Sequence, residues 1–547
     1  MKKILNIALV AVAALALVSC NQANKMIESV DQLGIKCNPE VLEVVAGEID
    51  ADVTVNFPEG YFFPKATLYV TPVLRHQGGE AVGKQFVFQG EKITENYLSV
   101  PKAGASIKQH VHFEYVKGME KSELVARVKV VCNGNEYVFP GEIKIADGAN
   151  TTYMLVETDG AYDYVADTYQ EVIPETVESQ ILYLINSSNV RNSELRKGDI
   201  KEFQKALANL AGDERRQVIG TEVVAYASPD GSVALNDKLS SNREKSAAKA
   251  LGKVTKNLET GDVTTKSIGE DWAGFQELVN NSSIEDKDLI IRVLSMYSDP
   301  AVREREIRNM SSVYTTLASN VLPQLRRARF ITSVEYTNYS AEELADLVNN
   351  NIDILDEQAL LRAAANAKDK DAKLTIYRKA VDKYNSEAAR INTAVTYLNY
   401  GQNDEAAAIL SKANQSDPVV INLKGVIALR EGRLDVAADL FNAAGDNGFT
   451  KQNKAIIDIL KGRYDAAAKK LAGTKTCNET IAYILTGQLE KAKANNTGKC
   501  PRCKYRSAII EARQGNVAAA KAFIEEASKM PALAERAALD VEFIKVR

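Results

Sequence analysis

The sequence is poor in the residues that carry most enzyme chemistry, and it has no excess of positive charge. Its 547 residues include only three histidines and one tryptophan. No stretch matches a nucleophile elbow, a phosphate-binding loop or a zinc signature. We therefore expect a protein that is not an enzyme and that carries no cofactor and no metal. The formal net charge of −4 also argues against nucleic acid as a partner.

Long apolar runs are missing as well, apart from one at the N terminus. The chain opens with MKKILNIALVAVAALALVSC, in which two lysines precede an apolar run that is too short and too early for a stable transmembrane helix. The last four of these residues, 17–20, resemble the lipobox of bacterial lipoprotein signals. The resemblance implies that residues 1–19 are removed as a signal peptide and that Cys20 is acylated. An ordinary secretory peptide with a chance cysteine is the alternative.

The acyl chains on Cys20 would hold the protein firmly at a membrane, with residues 20–36 as a lipidated linker. Surface-displayed lipoproteins of Bacteroidetes-like bacteria tend to carry an acidic run directly after this cysteine. Residues 21–25, NQANK, contain no acidic side chain. We therefore expect an outer-membrane lipoprotein that faces the periplasm.

Five further cysteines bear on the folded part of the chain. An envelope compartment permits disulfides, and Cys37 with Cys132 would bracket the first folded domain. The motif CPRC, from Cys500 to Cys503, is compatible with a redox pair or with half of a zinc site. It lies among helical repeats, however, and no second CxxC or nearby histidine completes a metal site. We expect a structural disulfide or two inert thiols there.

The first folded region, residues 37–157, consists of short predicted strands. Apolar or alternating segments occur at 41–45, 67–70, 111–116, 124–130 and 142–145. Glycine, proline and asparagine separate them, which is typical of an antiparallel β-sandwich. His110 and His112 alternate onto one face of a strand, as two of three metal ligands would. Because no third ligand is evident, we interpret them as a solvated face.

In the central region, residues 164–339, strands alternate with helices. Segments 181–185, 218–226 and 330–336 are predicted strands. Segments 199–207 and 234–254 are predicted amphipathic helices. Such alternation indicates an α/β or α+β layer, and we expect an α+β domain.

The last region, residues 340–547, is repetitive and helical. A glycine followed five residues later by alanine recurs about every thirty residues, at Gly401, Gly432, Gly462, Gly487 and Gly515. These units resemble tetratricopeptide repeats, which stack pairs of helices into a solenoid. The resemblance implies that the repeats bind envelope proteins. A solenoid that only spaces domains is the alternative.

A specific motif lies inside the central region, in the stretch AYASPDGSVALNDKLSSNREKSAAKAL at 225–251. It matches the wall-binding motif of the OmpA C-terminal domain at six positions. The matching residues are Gly231, Ser232, Asn236, Leu239, Ser240 and Arg243. The resemblance implies binding to peptidoglycan, in which Arg243 would pair with a carboxylate of diaminopimelate. Asn236 would fix the turn or donate beside it.

The motif departs from the family at one charged position. The family has an aspartate at the end of the strand, which pairs with the ammonium of the ligand, and this chain has Ser228 there. A neutral serine cannot supply that ion pair. Asp230, two residues later, is a possible substitute. We therefore predict weak binding to diaminopimelate-type peptidoglycan.

The resemblance extends over most of the chain. A lipobox, a strand-rich N-terminal domain, the strand end YASPDG and C-terminal repeats together resemble OmpA-like lipoproteins of the Bacteroidetes type. The expected function is non-enzymatic: an outer-membrane lipoprotein that links the membrane to peptidoglycan and scaffolds envelope complexes. The alternative is an assembly or secretion-system scaffold whose OmpA-like domain no longer binds the wall.

Overall fold

The computed structural model describes residues 22–284 and 287–547. The expected signal peptide and the lipidation site Cys20 lie outside the described residues. The chain forms two compact units, one made of the residues up to Val165 together with Arg390–Arg547 and the other of Ala166–Ala389. Among the described helices, none has the length and apolar character needed to cross a membrane.

The N-terminal part of the first unit is one connected sheet of eleven strands. They are β1 (Gly34–Asn38), β2 (Val41–Val45), β3 (Glu48–Phe57), β4 (Ala66–His76), β5 (Gly79–Val82), β6 (Phe86–Gly90), β7 (Leu98–Val100), β8 (Ala105–Glu114), β9 (Ser122–Cys132), β10 (Asn135–Val138) and β11 (Ile143–Asn150). The main order is β1-β3-β2-β11-β9-β4-β6-β7, and β8, β10 and β5 pair with β3, β9 and β4.

The expected antiparallel β-sandwich is not confirmed, because the sheet is mixed. Strand β2 pairs antiparallel with β3 and parallel with β11, so it joins the two halves of the sheet. Strands β6 and β7 are also parallel. The alternation of apolar residues reveals where strands lie, but it contains no information about the direction of their partners.

Aromatic side chains fill one part of this sheet's core. Phe57 packs edge-on against Phe62 and Phe88. Residues 22–28 are helical, and Met26 and Ile27 are buried in the same apolar cluster. The start of the segment that the sequence suggests as a linker therefore packs against the sheet.

The second unit contains a four-stranded sheet with helices packed on it. Its strands are β12 (Val172–Leu182), β13 (Arg216–Ala227), β14 (Asp262–Glu270) and β15 (Arg327–Thr337), in the order β12-β15-β13-β14. Its helices are α1 (Gly198–Leu210), α2 (Val233–Val254), α3 (Trp272–Asn280), α4 (Lys287–Met296), α5 (Pro300–Asn309), α6 (Ser311–Asn320), α7 (Leu322–Leu325), α8 (Ala341–Asn350), α9 (Glu357–Asn366) and α10 (Lys370–Tyr384). Helix α2 connects the parallel pair β13 and β14. The predicted alternation of strands and helices is present.

The C-terminal part of the first unit consists of helix pairs. Its helices are α11 (Glu387–Asn399), α12 (Asn403–Leu410), α13 (Pro418–Arg430), α14 (Leu434–Ala443), α15 (Gly448–Leu460), α16 (Tyr464–Leu471), α17 (Cys477–Leu485), α18 (Leu489–Asn495), α19 (Pro501–Arg513), α20 (Val517–Ala527) and α21 (Pro531–Leu539). All five predicted repeat glycines follow the first helix of a pair, with φ between +70° and +80°. Glycine adopts this left-handed conformation without steric cost and so ends each helix.

The repeats share a core with the N-terminal sheet. One continuous apolar cluster includes Leu42 and Phe113 from the sheet and Phe441, Ile456 and Tyr505 from the repeats. These compact units differ from the limits predicted at 37–157, 164–339 and 340–547, because α8, α9 and α10 belong to the second unit.

Candidate functional site

The OmpA-like motif lies where β13 ends and α2 begins. Strand β13 ends at Ala227, the turn 228–232 follows, and α2 starts at Val233. Asn236, Ser240 and Arg243 are all buried on one face of α2. Their spacing of four and three residues places them on the same side of the helix. The structure thus brings the predicted residues together at one end of the sheet.

Arg243 is fully buried, and among the described residues its side chain donates only to main-chain oxygens. Its Nε donates to Ser187 O at 3.0 Å, Nη1 to Tyr226 O at 2.9 Å and Nη2 to Leu184 O at 3.3 Å. The guanidinium carbon lies 5.0 Å from the centre of the Tyr183 ring. Burial lowers the pKa of Arg243 to about 10. Arg243 therefore fixes the loop after β12, and its side chain is not accessible to a carboxylate of a ligand.

Ser228 and Asp230 hold a cation from the same chain. Ser228 Oγ donates to Asp230 Oδ1 at 2.6 Å, and Arg326 Nη2 donates to Asp230 Oδ2 at 2.9 Å. Arg326 Nε also reaches Ser228 Oγ at 3.3 Å. Arg326 is only 12% exposed, and Asp230 is 16% exposed. The guanidinium thus lies against Ser228 and Asp230, the two residues that the resemblance assigns to the ammonium of a ligand.

Asn236 is also engaged within the domain. Its Nδ2 donates to Gly231 O at 3.1 Å and to Glu270 Oε1 at 3.0 Å. The other oxygen of Glu270 accepts from Trp272 Nε1 at 2.8 Å. Arg327, next to Arg326, pairs with Asp271 at 2.8 Å. Arg326 and Arg327 are therefore both paired with carboxylates of their own domain.

A second candidate site lies along the repeats, and it holds main chain. Residues 157–165, here called the clamped segment, have neither helical nor strand structure. The segment contacts the first helix of each of four successive repeats. Four buried asparagines contact this segment, and we call them the asparagine ladder. They are Asn392 on α11, Asn422 on α13, Asn453 on α15 and Asn478 on α17.

Three of the ladder residues bind both polar groups of one residue of the clamped segment. Asn478 accepts from Glu157 N and donates to Glu157 O, both at 2.8 Å. Asn453 does the same with Ala161, at 2.5 and 3.0 Å. Asn392 pairs with Val165 at 2.7 and 2.9 Å. Every fourth residue of the segment is held by its peptide groups, so these bonds do not depend on its side chains.

Asn422 completes the ladder between two of these pairs. Its Nδ2 donates to Ala161 O at 3.2 Å, and its Oδ1 accepts from Asn453 Nδ2 at 3.0 Å. A Cβ on Gly160 would lie 2.8 Å from both methyl groups of Val426. The φ of +79° at Gly160 is also a conformation that favours glycine. Gly160 is therefore a position of the clamped segment at which side-chain size matters.

The fifth repeat carries an arginine at the ladder position. Arg506 on α19 is buried, and its Nη1 lies 3.5 Å from Glu157 Oε1. Its Nη2 donates to Cys477 Sγ at 3.0 Å and to Cys503 Sγ at 3.3 Å. This end of the ladder therefore combines a cation with thiols.

The two CPRC thiols are adjacent and form a hydrogen bond, not a disulfide. Their Sγ atoms are 2.8 Å apart, and Cys500 Sγ accepts from Cys503 N at the start of α19. Burial raises the pKa of Cys500, but the hydrogen bonds from Cys503 and the charge of Arg506 outweigh it and lower that pKa. Burial raises the pKa of Cys503. The more exposed thiol is thus the more acidic one.

The possible disulfide between Cys37 and Cys132 is not formed in the structure, where both cysteines are free. Cys37, on β1, packs against the apolar cluster that the sheet shares with the repeats. Cys132, at the end of β9, belongs to the cluster that contains Phe57 and Phe88. The two side chains lie in different parts of the sheet core, which sequence spacing could not reveal.

The asparagine ladder is absent from the sequence-based site prediction, although the sequence contains its signal. Each ladder asparagine stands nine or ten residues before a repeat glycine, and Arg506 stands nine residues before Gly515. A buried polar residue that recurs in register with a repeat indicates a shared ligand.

Comparisons with known proteins add one structural similarity. A tetratricopeptide repeat protein of known crystal structure from Parabacteroides merdae is 14% identical, with a TM-score of 0.29. The similarity covers 37% of this chain and 90% of that protein. No family model and no curated protein matches the sequence. The resemblance to the OmpA C-terminal domain stays a prediction from the motif.

Proposed function

We propose that this protein is a non-enzymatic scaffold of the bacterial envelope, whose OmpA-like domain does not bind peptidoglycan. It would be anchored to the outer membrane through Cys20 and face the periplasm. Its helical repeats would contact other envelope proteins. The observation that carries the proposal is Arg326, which pairs with Asp230 and Ser228 in the position expected for the ammonium of the ligand.

Two further contacts support the loss of wall binding. The Arg243 guanidinium donates to three carbonyl oxygens and is fully buried. A diaminopimelate carboxylate could therefore reach it only if the loop at 184–187 opened. Asn236 already donates to Glu270. Breaking these bonds would leave buried groups without partners, at a cost of about 1 to 3 kcal/mol for each group.

The asparagine ladder supports the protein-contact role of the repeats. Its chemistry suits polypeptide main chain, and in this protein it holds residues 157–165 of the same chain. Because the ladder is occupied, partners would use the remaining surface of the repeats. Phe449 and Val436 are large apolar side chains exposed there, on α15 and α14.

Co-sedimentation with intact sacculi tests the wall-binding part of the proposal. The mature full-length protein, mixed with sacculi of the diaminopimelate type, should remain in the supernatant. A protein with a known wall-binding OmpA-like domain serves as the positive control. Sedimentation of the wild-type protein, with release by an excess of soluble diaminopimelate-containing muropeptide, would overturn the proposal in favour of a membrane-to-wall link.

In-cell crosslinking tests the scaffold part. Lysine-reactive crosslinking of cells that express the full-length protein should give adducts to other envelope proteins, with the crosslinked peptides in residues 390–547. Adducts found only in 166–389 would contradict the role of the repeats and assign the contacts to the second unit.

A further inference from the structure

Histidine and carboxylate side chains meet on the exposed face of the paired strands β3 and β8. The register places Asp50 opposite His112 and Asp52 opposite His110. Glu48 lies two residues before Asp50 and therefore on the same face of β3. The sequence displays the two histidines together, but only the strand pairing reveals that carboxylates lie opposite them.

The two imidazole rings converge on one carboxylate oxygen. His110 Nε2 lies 3.0 Å from Asp50 Oδ1, and His112 Nδ1 lies 2.9 Å from the same oxygen. The ligand atoms of Glu48, Asp50 and His112 are all within 4.8 Å of one another. Two imidazole nitrogens with carboxylate oxygens are a set that Zn²⁺ and neighbouring transition metals prefer, whereas Ca²⁺ and Mg²⁺ prefer oxygen alone.

A second carboxylate orients one of the rings. His110 Nδ1 lies 3.2 Å from Asp52 Oδ1, and Asp52 Oδ2 lies 2.7 Å from Lys108 Nζ. A carboxylate that accepts from one ring nitrogen fixes the tautomer and leaves the other nitrogen free to bind a metal. His110 Nε2 is thereby directed at Asp50 and not at solvent.

We propose that His110, His112, Asp50 and Glu48 form a binding site for one divalent transition metal ion, with Zn²⁺ as the best match. Bonds of about 2.0 to 2.2 Å in a tetrahedral site place the ligand atoms roughly 3.3 to 3.6 Å apart. The separations of 2.9 and 3.0 Å from the two rings to Asp50 lie just below that range, and the ligand atoms of Glu48, Asp50 and His112 lie within 4.8 Å of one another. All four side chains are exposed, so they can rotate to the metal without a shift of the backbone. The ion would bridge β3 and β8.

Metal titration of the full mature chain tests the site. The thiols of Cys500 and Cys503 could also bind zinc, so the titrations use a variant in which both are replaced by serine. Calorimetric titration with ZnCl₂ should give one ion per chain. His112→Ala should lower the affinity by at least about tenfold, since it removes a ligand, and Asp52→Asn by about tenfold, since it removes the orienting carboxylate. His76→Ala, on β4, is the matched control and should change nothing.

Cobalt gives an independent readout of the ligand atoms. Co²⁺ in this double-serine variant should show the visible absorption of a nitrogen and oxygen site, and His110→Ala should remove it. The proposal is overturned if the double-serine variant binds no Zn²⁺ at millimolar concentration. It is also overturned if neither His112→Ala nor Asp50→Asn lowers the affinity for Zn²⁺ below that of the parent variant.

Discussion

Two regions of this molecule hold a group of the same chain where an external ligand is expected, and they do so with different chemistry. In the second unit, Arg326 fills the position between Ser228 and Asp230 by charge pairing. In the first unit, the asparagine ladder holds the clamped segment by neutral amide bonds. The charged contact selects one kind of side chain, whereas the amide contacts themselves bind only the main chain of the residues they hold.

The two regions differ in how a substitution alters the group that each one holds. A single substitution at Arg326 would leave an acidic position open to a new cation. The ladder, in contrast, distributes its bonds over four residues, so no one of them determines what is held. We expect its disruption to cost more stability, because every broken bond there leaves a buried peptide group without a partner.

The largest expected effect is at Asn453, which is fully buried in the middle of the ladder. Asn453→Ala removes bonds to Ala161 N, Ala161 O and Asn422 Oδ1. We expect a loss of about 3 kcal/mol in the free energy of unfolding, measured by urea denaturation. Asn442→Ala, on the exposed side of α14, is the control and should cost less than about 0.5 kcal/mol. Equal losses in the two variants would refute the structural role of the ladder.

Glu542 joins the end of the sheet to the last full repeat. It accepts from Asn150 at 2.8 Å, Thr152 at 2.6 Å and Arg513 at 2.5 Å. Burial raises the pKa of Glu542, but these hydrogen bonds outweigh it and hold the pKa below its usual value. A carboxyl group whose folded pKa is depressed contributes stability above its unfolded pKa, about 4.3, and loses it as pH falls through the folded pKa.

Glu542→Gln should therefore cost about 2 kcal/mol at pH 7 and progressively less below pH 4.3, by urea denaturation at each pH. The comparison is with wild type at the same pH, because burial raises the pKa of neighbouring Asp540 and gives the opposite pH dependence. Glu535→Gln, at an exposed position of α21, is the control. A cost that does not depend on pH would show that Glu542 acts through its shape alone.

Much of the local structure could be predicted from the sequence, because strong periodicity determined it. The strand predicted at 218–226 spans Arg216–Ala227 in the structure, and the helix predicted at 234–254 spans Val233–Val254. Gly425, on α13, permits close packing of α14, because a Cβ there would lie only 2.5 Å from the ring of Phe441. In each case the signal lies within one element or between neighbouring elements.

The partners of the site residues could not be predicted in the same way. The motif spacing identifies Arg243, yet its partners Leu184 and Ser187 lie in a loop more than fifty residues earlier. Asp230 was proposed as a partner for a ligand cation, but the cation beside it comes from Arg326, nearly one hundred residues later. Long-range pairing is set by the tertiary fold, and one sequence without its fold does not specify it.

Gly160 gives a smaller and more local test of main-chain recognition. Gly160→Ala places a methyl group against Val426 and strains a left-handed residue, so we expect a loss of about 1.5 kcal/mol. Ala161→Ser, at the neighbouring ladder-bound residue, should be tolerated within about 0.5 kcal/mol, because the ladder contacts only its peptide groups. Thermal unfolding of both variants measures the difference. If the serine variant were the less stable one, side chains and not main chain would determine what the ladder holds.

The smallest effect is expected at Arg326, and salt distinguishes it from the ladder. Arg326→Ser removes a partly exposed ion pair, which we expect to cost about 1 kcal/mol at low ionic strength. Salt screens charge pairs, although less as their burial increases, so part of this cost should be lost in 1 M NaCl, where the Debye length is about 3 Å, while the cost of Asn453→Ala stays the same. Arg305→Ser, which removes a more exposed pair with Glu306, is the control. If salt affected Asn453→Ala and Arg326→Ser equally, the two regions would not differ in chemistry, since neutral amide bonds and ion pairs respond differently to screening.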